Sequence, residues 1–227
     1  MVEIRMVQLD VDAAAVREAA DLLSPDERRR AGRFAGARDR RRFIVARASL
    51  RRCIGSFLGV RPGMIEFGYG AHGKPRLAGR HAGTALRFNV SHCNDIAALA
   101  FATGCEVGVD IEAVRDVPDA EAITGRFGSA AERRAWRSLA ARDRLRGFFN
   151  WWTRKEAFVK ARGGGLSIPL NAFDVSFAPG APAQLLRIAD ATADEPEWSL
   201  GAFVPGPGLV GAFAECPMEA AAIDARN

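Results

Sequence analysis

A chain of 227 residues, 48% of them hydrophobic, is long enough for one large domain or two modest ones, each with a core of its own. Four cysteines, Cys53, Cys93, Cys105 and Cys216, form no C-x-x-C pair and have no histidine cluster at zinc-ligand spacing, which excludes a zinc module and points to free thiols in a reducing compartment. No stretch reads as a signal peptide or approaches the ~20 apolar residues that span a bilayer, so a soluble cytoplasmic protein with no membrane partner is expected.

Net charge is +5, and arginines crowd residues 28–30, 38–42 and 47–52. Such a surface favours a polyanion, but nucleic acid, a phosphorylated cofactor and an acidic protein all fit, and a single arginine is ordinarily part of a solvated helix face.

Residues 2–9 place Val2, Ile4 and Met6 alternately against Glu3 and Arg5, a period of two that predicts a strand, and a helical segment follows. Ser24-Pro25-Asp26-Glu27 reads as a capping box with proline at the first helical position, so residues 28–30 belong to an ordered helix. Over residues 39–58, Phe43, Ala46, Leu50, Ile54, Phe57 and Leu58 recur at helical spacing opposite a face of arginine, and Gly59 and Pro62 end that helix. Shorter β-like runs follow at 65–67, 86–90 and 96–102, and the turn signal Thr103-Gly104 divides the chain into units 1–104 and 105–227. Val107-Gly108-Val109-Asp110-Ile111-Glu112 is then an apolar run ending in carboxylates. Ser129 and Glu132 make a second capping-box candidate, and a long helix over 142–161 stops at Gly163-Gly164-Gly165. Apolar runs at 173–177, 185–188, 198–204 and 209–213 between Pro- and Gly-rich turns predict antiparallel strands, and the alanine-rich tail after Glu215 is expected to be disordered. Helices and short strands without strict βαβ alternation indicate an α+β fold compatible with two lobes, with no visible tandem repeat at periods of about 20–50 residues.

Asp110 and Glu112, two residues apart on a strand, point to one face. They repel each other unless a cation or base lies between them, although a strand end emerging into solvent is the plainer explanation of the spacing alone. Glu156 and Lys160, at i and i+4, share a helical face; exposed, such a pair is worth only ~0.3–0.5 kcal/mol, but the bulky neighbours Trp152, Phe158 and Val159 suggest an interface between lobes. Phe88-Asn89-Val90-Ser91-His92 leads from a strand into a polar turn where a hydroxyl and an imidazole can meet a phosphate, yet it assigns no Ser-His-Asp triad. Gly73-Lys74-Pro75 alone is a turn with an exposed lysine. The run Gly163-Gly164-Gly165 follows a helix and lacks the G-K-[ST] ending, so it is a helix stop and not a phosphate loop.

Taken in order, Gly73-Lys74-Pro75, Phe88-Asn89-Val90-Ser91-His92, Val107-Gly108-Val109-Asp110-Ile111-Glu112 and Trp152-Thr153-Arg154-Lys155-Glu156-Ala157-Phe158-Val159-Lys160 resemble the signature set of the 4'-phosphopantetheinyl transferases, in the larger monomeric type serving peptide and polyketide synthases. The resemblance covers roughly residues 24–177. It implies an α+β fold of two similar lobes with pseudo-twofold symmetry and an active site in the cleft between them, the N-terminal lobe binding coenzyme A and the C-terminal lobe carrying the metal site and catalytic helix. It implies magnesium, or manganese, on Asp110, Glu112 and Glu156, with Glu156 and Lys160 catalytic. Arg30, Arg42, Lys74, Ser91, His92, Lys155 and Lys160 are the residues implied to hold coenzyme A, the co-substrate. Glu27 stands where related proteins can have a basic residue, a departure that bears on the phosphate contacts of that segment. The implied partner is an acyl or peptidyl carrier protein, whose serine receives the phosphopantetheine arm as 3',5'-ADP leaves. Two other classes compete: a basic nucleic-acid-binding protein leaves the four motifs unexplained, and the complete carboxylate set speaks against a non-catalytic coenzyme A-binding protein.

Overall fold

The computed structural model describes residues 1–70, 72–189 and 197–217. The alternation of Val2, Ile4 and Met6 becomes β1 (Glu3–Gln8), followed by α1 (Ala13–Asp21), α2 (Pro25–Gly32) and the long α3 (Ala37–Leu58). A short ribbon, β2 (Phe67–Tyr69) and β3 (Pro75–Leu77), precedes the hairpin β4 (Leu86–Cys93) and β5 (Ile96–Thr103). A one-residue turn at Gly104, in the left-handed region at φ 66, then starts the sequence of elements again. It comprises β6 (Cys105–Ala113), α4 (Ala120–Phe127), α5 (Ala130–Ser138), the long α6 (Ala141–Arg162), the ribbon β7 (Phe173–Val175) and β8 (Leu185–Ile188), and finally β9 (Ser199–Phe203) and β10 (Leu209–Pro217).

The two halves share one connectivity. Both long helices have 22 residues, and in both lobes the last strand returns to pair antiparallel with the first, giving the orders β1-β5-β4 and β6-β10-β9. The repeat spans half the chain, well beyond the periods at which short tandem units announce themselves. Small differences from expectation lie at the strand ends. The run predicted at 65–67 forms its strand at 67–69, and β7 stops at Val175. Strand β10 continues through Pro217, past the point where disorder was expected, and residues 218–227 lie outside the described residues. Among the described residues no helix is long and apolar enough to cross a membrane.

Each capping-box glutamate does more than cap. Glu27, at the third position of α2, accepts the Ser24 backbone N–H (2.9 Å) and reaches Arg51 on α3, whose Nε lies 2.7 Å away. Arg51 in turn donates to the carbonyls of Pro62 and Ile65, just after α3 ends. Glu132 repeats this in the second lobe: it accepts the Ser129 N–H (3.0 Å) and pairs with Lys155 on α6 at 2.8 Å, and Lys155 donates to the carbonyls of Leu170 and Phe173. Glu27, Arg51, Glu132 and Lys155 are all at most 2% exposed, so each pair is sealed from water; both oxygens of Glu132 accept hydrogen bonds, whereas Glu27 Oε1 has none and is faced only by Arg47 Nε at 3.4 Å. Around the second pair, Trp151, Phe149, Phe158 and Phe173 belong to one buried hydrophobic cluster.

The lobes meet along β4 and β6, which no backbone ladder joins. Side chains of β4 substitute for one: Asn89 Oδ1 accepts the Val109 N–H (3.0 Å) and Ser91 Oγ accepts the Ile111 N–H (3.3 Å). On its other side β6 lies directly against α6. A Cβ at Gly108 would stand 2.1 Å from the Ala157 carbonyl oxygen and 2.3 Å from the Ala161 nitrogen, both backbone atoms, so only glycine permits this approach.

Breaking a buried pair strands the surviving charge. Lys155→Met should therefore lower unfolding stability by about 3–5 kcal/mol in urea titrations. Glu132 also accepts the Val175 N–H on its other oxygen (3.0 Å), and adding Glu132→Gln, which removes the orphaned charge and keeps one amide oxygen to accept from one of these two N–H groups, should recover part of that loss.

Candidate active site

Toward its end β6 carries Asp110 and Glu112 on one face, as their spacing of two requires. Across from them α6 presents Glu156 and Lys160, one helical turn apart. With Val90, Ser91, His92, Ile111 and Trp152, these four side chains line a pocket of about 380 Å³. Helix α6 can offer that face because Lys155, the residue before Glu156, is drawn into the core by Glu132.

Lys160 finds its hydrogen-bonded partner on β6. Its Nζ lies 2.6 Å from Asp110 Oδ1 and 3.2 Å from Ser91 Oγ, and Ser91 donates its hydroxyl to the same Asp110 oxygen at 2.9 Å. Asp110 is 5% exposed, and its Oδ2 is buried without a hydrogen-bond partner. Glu112, more open, faces Arg115 at 3.2 Å. Burial pushes the Glu156 carboxyl up; Lys160 opposes the shift, and Asp110 and Glu112 add to it.

The three carboxylates thus share one pocket, but among the described residues no group of three acidic, His or Cys side chains already converges on a single point. The physical reason lies in their present partners, since Lys160 occupies one side of Asp110 and Arg115 draws Glu112 outward. The donor set still fits a hard divalent cation: all oxygen, with one buried carboxylate oxygen unsatisfied.

A second, larger hollow of about 640 Å³ adjoins through His92 and Val90. Arg30, Arg42 and Arg47 line it together with Phe43, Tyr69 and Pro75. The Arg30 guanidinium lies 5.4 Å from the Phe43 ring centre and 6.0 Å from that of Tyr69. Arg42 is held by Asp10, Nη2 to Oδ2 at 3.1 Å. His92 has an exposed ring, yet the crowding of the cleft wall and the nearby charges of Lys160 and Arg42 hold its pKa below the usual value, so it is neutral near pH 7.

Lys155 is a correction. The resemblance implied a contact with coenzyme A, but its ammonium is fully buried among Glu132 and two carbonyls, on the core side of α6. Lys74 and Ser91, implied in the same role, do border the cleft, but their polar atoms bind the other lobe: Ser91 as above, and Lys74 through Glu106, Val107 and Ala161. Sequence reasoning missed Asn89, Glu106 and Arg87, which build this seam. The signal available for Asn89 was its place two residues before Ser91, on the same face of β4.

A carboxyl whose folded pKa lies above its unfolded value of ~4.3 favours the protonated folded state; its contribution is present below ~4.3 and lost as pH rises through the raised folded value. Glu156→Gln removes the charge that burial penalises. The variant should melt at a higher temperature than the parent at pH 8, and the gap should shrink toward pH 4 in a series of thermal scans.

The chain is similar to known proteins over most of its length. The model of the 4'-phosphopantetheinyl transferase superfamily matches residues 106–204, and that of the 4'-phosphopantetheinyl transferase N-terminal region matches residues 12–104. The chain is 38% identical over 208 residues to the 4'-phosphopantetheinyl transferase HetI of Nostoc sp., covering 92% of this chain and 84% of HetI. It is 34% identical over 154 residues to the 4'-phosphopantetheinyl transferase AcpT of Salmonella typhi, covering 68% of this chain and 70% of AcpT. A 4'-phosphopantetheinyl transferase of Bacillus subtilis is 29% identical over 153 residues, 67% of this chain and 66% of its own. Two lobes of repeated connectivity, a carboxylate-lined cleft and these relatives lead to one conclusion: the chain belongs to the 4'-phosphopantetheinyl transferase superfamily.

Proposed function

We propose that this chain transfers the 4'-phosphopantetheine arm of coenzyme A to a serine of an acyl or peptidyl carrier protein, with the reacting phosphate held in the pocket of Asp110, Glu112, Glu156 and Lys160. The observation that carries this is the meeting of three carboxylates and one ammonium in a single cleft that opens into an arginine-lined hollow. Neither a nucleic-acid-binding nor a non-catalytic role accounts for that combination.

The serine oxygen attacks the phosphorus that bears the pantetheine arm, the bond to the bridging pyrophosphate oxygen breaks, and 3',5'-ADP leaves. Glu156, on the face of α6 that looks into the pocket, accepts the serine proton. Lys160, one turn away, neutralises charge that develops on the phosphoryl oxygens. Asp110, Glu112 and Glu156 would hold magnesium, or manganese, which supplies charge neutralisation at the pyrophosphate when bound. Arg30, Arg42 and His92 border the space suited to the nucleotide end, where guanidinium forks match phosphate oxygens. On this reading residues 1–104 form the coenzyme A-binding lobe and 105–227 the metal-binding and catalytic lobe. The protein acts as a monomer, of the holo-acyl-carrier-protein synthase type, and its net charge of +5 steers an acidic carrier toward it.

The test is transfer of the arm of a fluorescent coenzyme A onto an apo carrier protein. Labelling should require magnesium or manganese, and Asp110→Asn should lower kcat by about 100-fold or more. Arg30→Ala should chiefly raise the KM for coenzyme A. Failure to label both acyl and peptidyl carriers would overturn the reading.

A further inference from the structure

The β2–β3 ribbon of the N-terminal lobe ends in a tight loop: Gly73 donates to the Gly70 carbonyl, Gly70 donates to the Lys74 carbonyl, and Gly73 sits at φ 78. From this loop the Lys74 side chain crosses to the other lobe. Its Nζ reaches Glu106 Oε2 (3.2 Å), the Val107 carbonyl (3.2 Å) and the Ala161 carbonyl (2.9 Å). An ammonium has three protons, and all three are used by the C-terminal lobe.

The acceptors come from two different elements. Glu106 and Val107 open β6, with Val107 three residues before Asp110. Ala161 lies in the last turn of α6, directly after Lys160, where a helix leaves carbonyls without intrahelical donors and favours a positive charge. Between these points lies Gly108, where strand and helix touch backbone to backbone. Arg87 of β4 grips the other oxygen of Glu106 at 3.0 Å, so the anchor is itself held from the first lobe.

We propose that Lys74 is a positioning residue, a latch from the N-terminal lobe that sets the spacing between β6 and the end of α6 and hence between Asp110 and the Glu156–Lys160 face. Its side chain acts through those groups and leaves coenzyme A to other residues. This rests on the transfer reaction proposed above, and one arm of its test is independent of turnover.

In steady-state kinetics, Lys74→Met, which keeps the stem and removes the ammonium, should lower kcat by about 10- to 100-fold, the loss expected for displacement of a catalytic group by about 1 Å. The KM for coenzyme A should change by less than about threefold, and the magnesium needed for half-maximal rate should rise by about tenfold. A KM raised tenfold or more with kcat nearly intact would overturn the proposal, since a group that only binds the co-substrate behaves that way. Glu106→Ala, which leaves Lys74 in place and removes its anionic anchor, should shift kcat in the same direction by a smaller factor; an unchanged kcat in both variants would also overturn it. Amide hydrogen exchange on the intact chain needs no turnover: Lys74→Met should speed exchange in β6 and the last turn of α6 together. Unchanged exchange there would sink the latch even if transfer is confirmed, and faster exchange would support it even if transfer is not.

Discussion

The structure turns on a buried carboxylate at the start of a short helix, held against a cation in the long helix that follows. Glu27 with Arg51 and Glu132 with Lys155 do the same three things: close the N-terminus of the short helix, fix the rotation of the long one, and tie down the chain that leaves it. In the second lobe the rotation has a chemical consequence. Successive residues on a helix point about 100° apart, so locking Lys155 inward leaves Glu156, and Lys160 one turn on, to face the cleft. Buried pairs are weak contributors to net stability but severe penalties on misplacement, because an unpaired charge in the core is so costly. Their effect here is to make one orientation of α6 far better than its neighbours.

A correctly rotated helix must also stand at the right distance from β6. Gly108 sets the closest approach, since its missing side chain lets the strand touch the backbone of α6. Asn89 and Ser91 then hold β6 against β4 through its own N–H groups. Ser91 serves both seam and site, donating to Asp110 while accepting from Ile111, so the aspartate is placed by the joint between the lobes. The cleft is therefore a property of two lobes together, which explains why its residues are scattered over three separate segments of sequence.

Local rules read the elements well. Both capping boxes, both long helices with their glycine stops, and the carboxylates on one face of a strand follow from spacing within about ten residues. What spacing could not supply was the partner of each charged group. Lys155 and Lys160 are five residues apart in one motif and look alike in sequence, yet one is buried in an ion pair and the other meets Asp110 in the cleft. The difference depends on Glu132 and Asp110, each some 20 to 50 residues away, and no local pattern encodes it. Lys74 is a similar case: a lysine in a turn is ordinarily solvent-facing, and only the assembled lobes show where its protons go. The duplication, which the family resemblance implied, left no visible repeat in the residues for a related reason, since what the halves share is a pattern of contacts, carried by arginine in one lobe and lysine in the other.

The site also holds charges that the fold does not fully compensate. Three carboxylates line one small pocket, burial opposes ionisation of Glu156, and one oxygen of Asp110 lacks a hydrogen bond. Lys160 offsets part of this repulsion at rest by lying against Asp110. A side chain that moderates the carboxylates before substrate arrives is well placed to neutralise phosphate oxygens afterwards, because both tasks need one positive charge at the same point. Keeping that ammonium on α6 and its resting partner on β6 couples the electrostatics of the pocket to the spacing of the two elements. Any change that widens the gap weakens the Lys160–Asp110 contact and leaves the carboxylates less compensated, so the geometry that serves the reaction also limits the strain of holding the charges together.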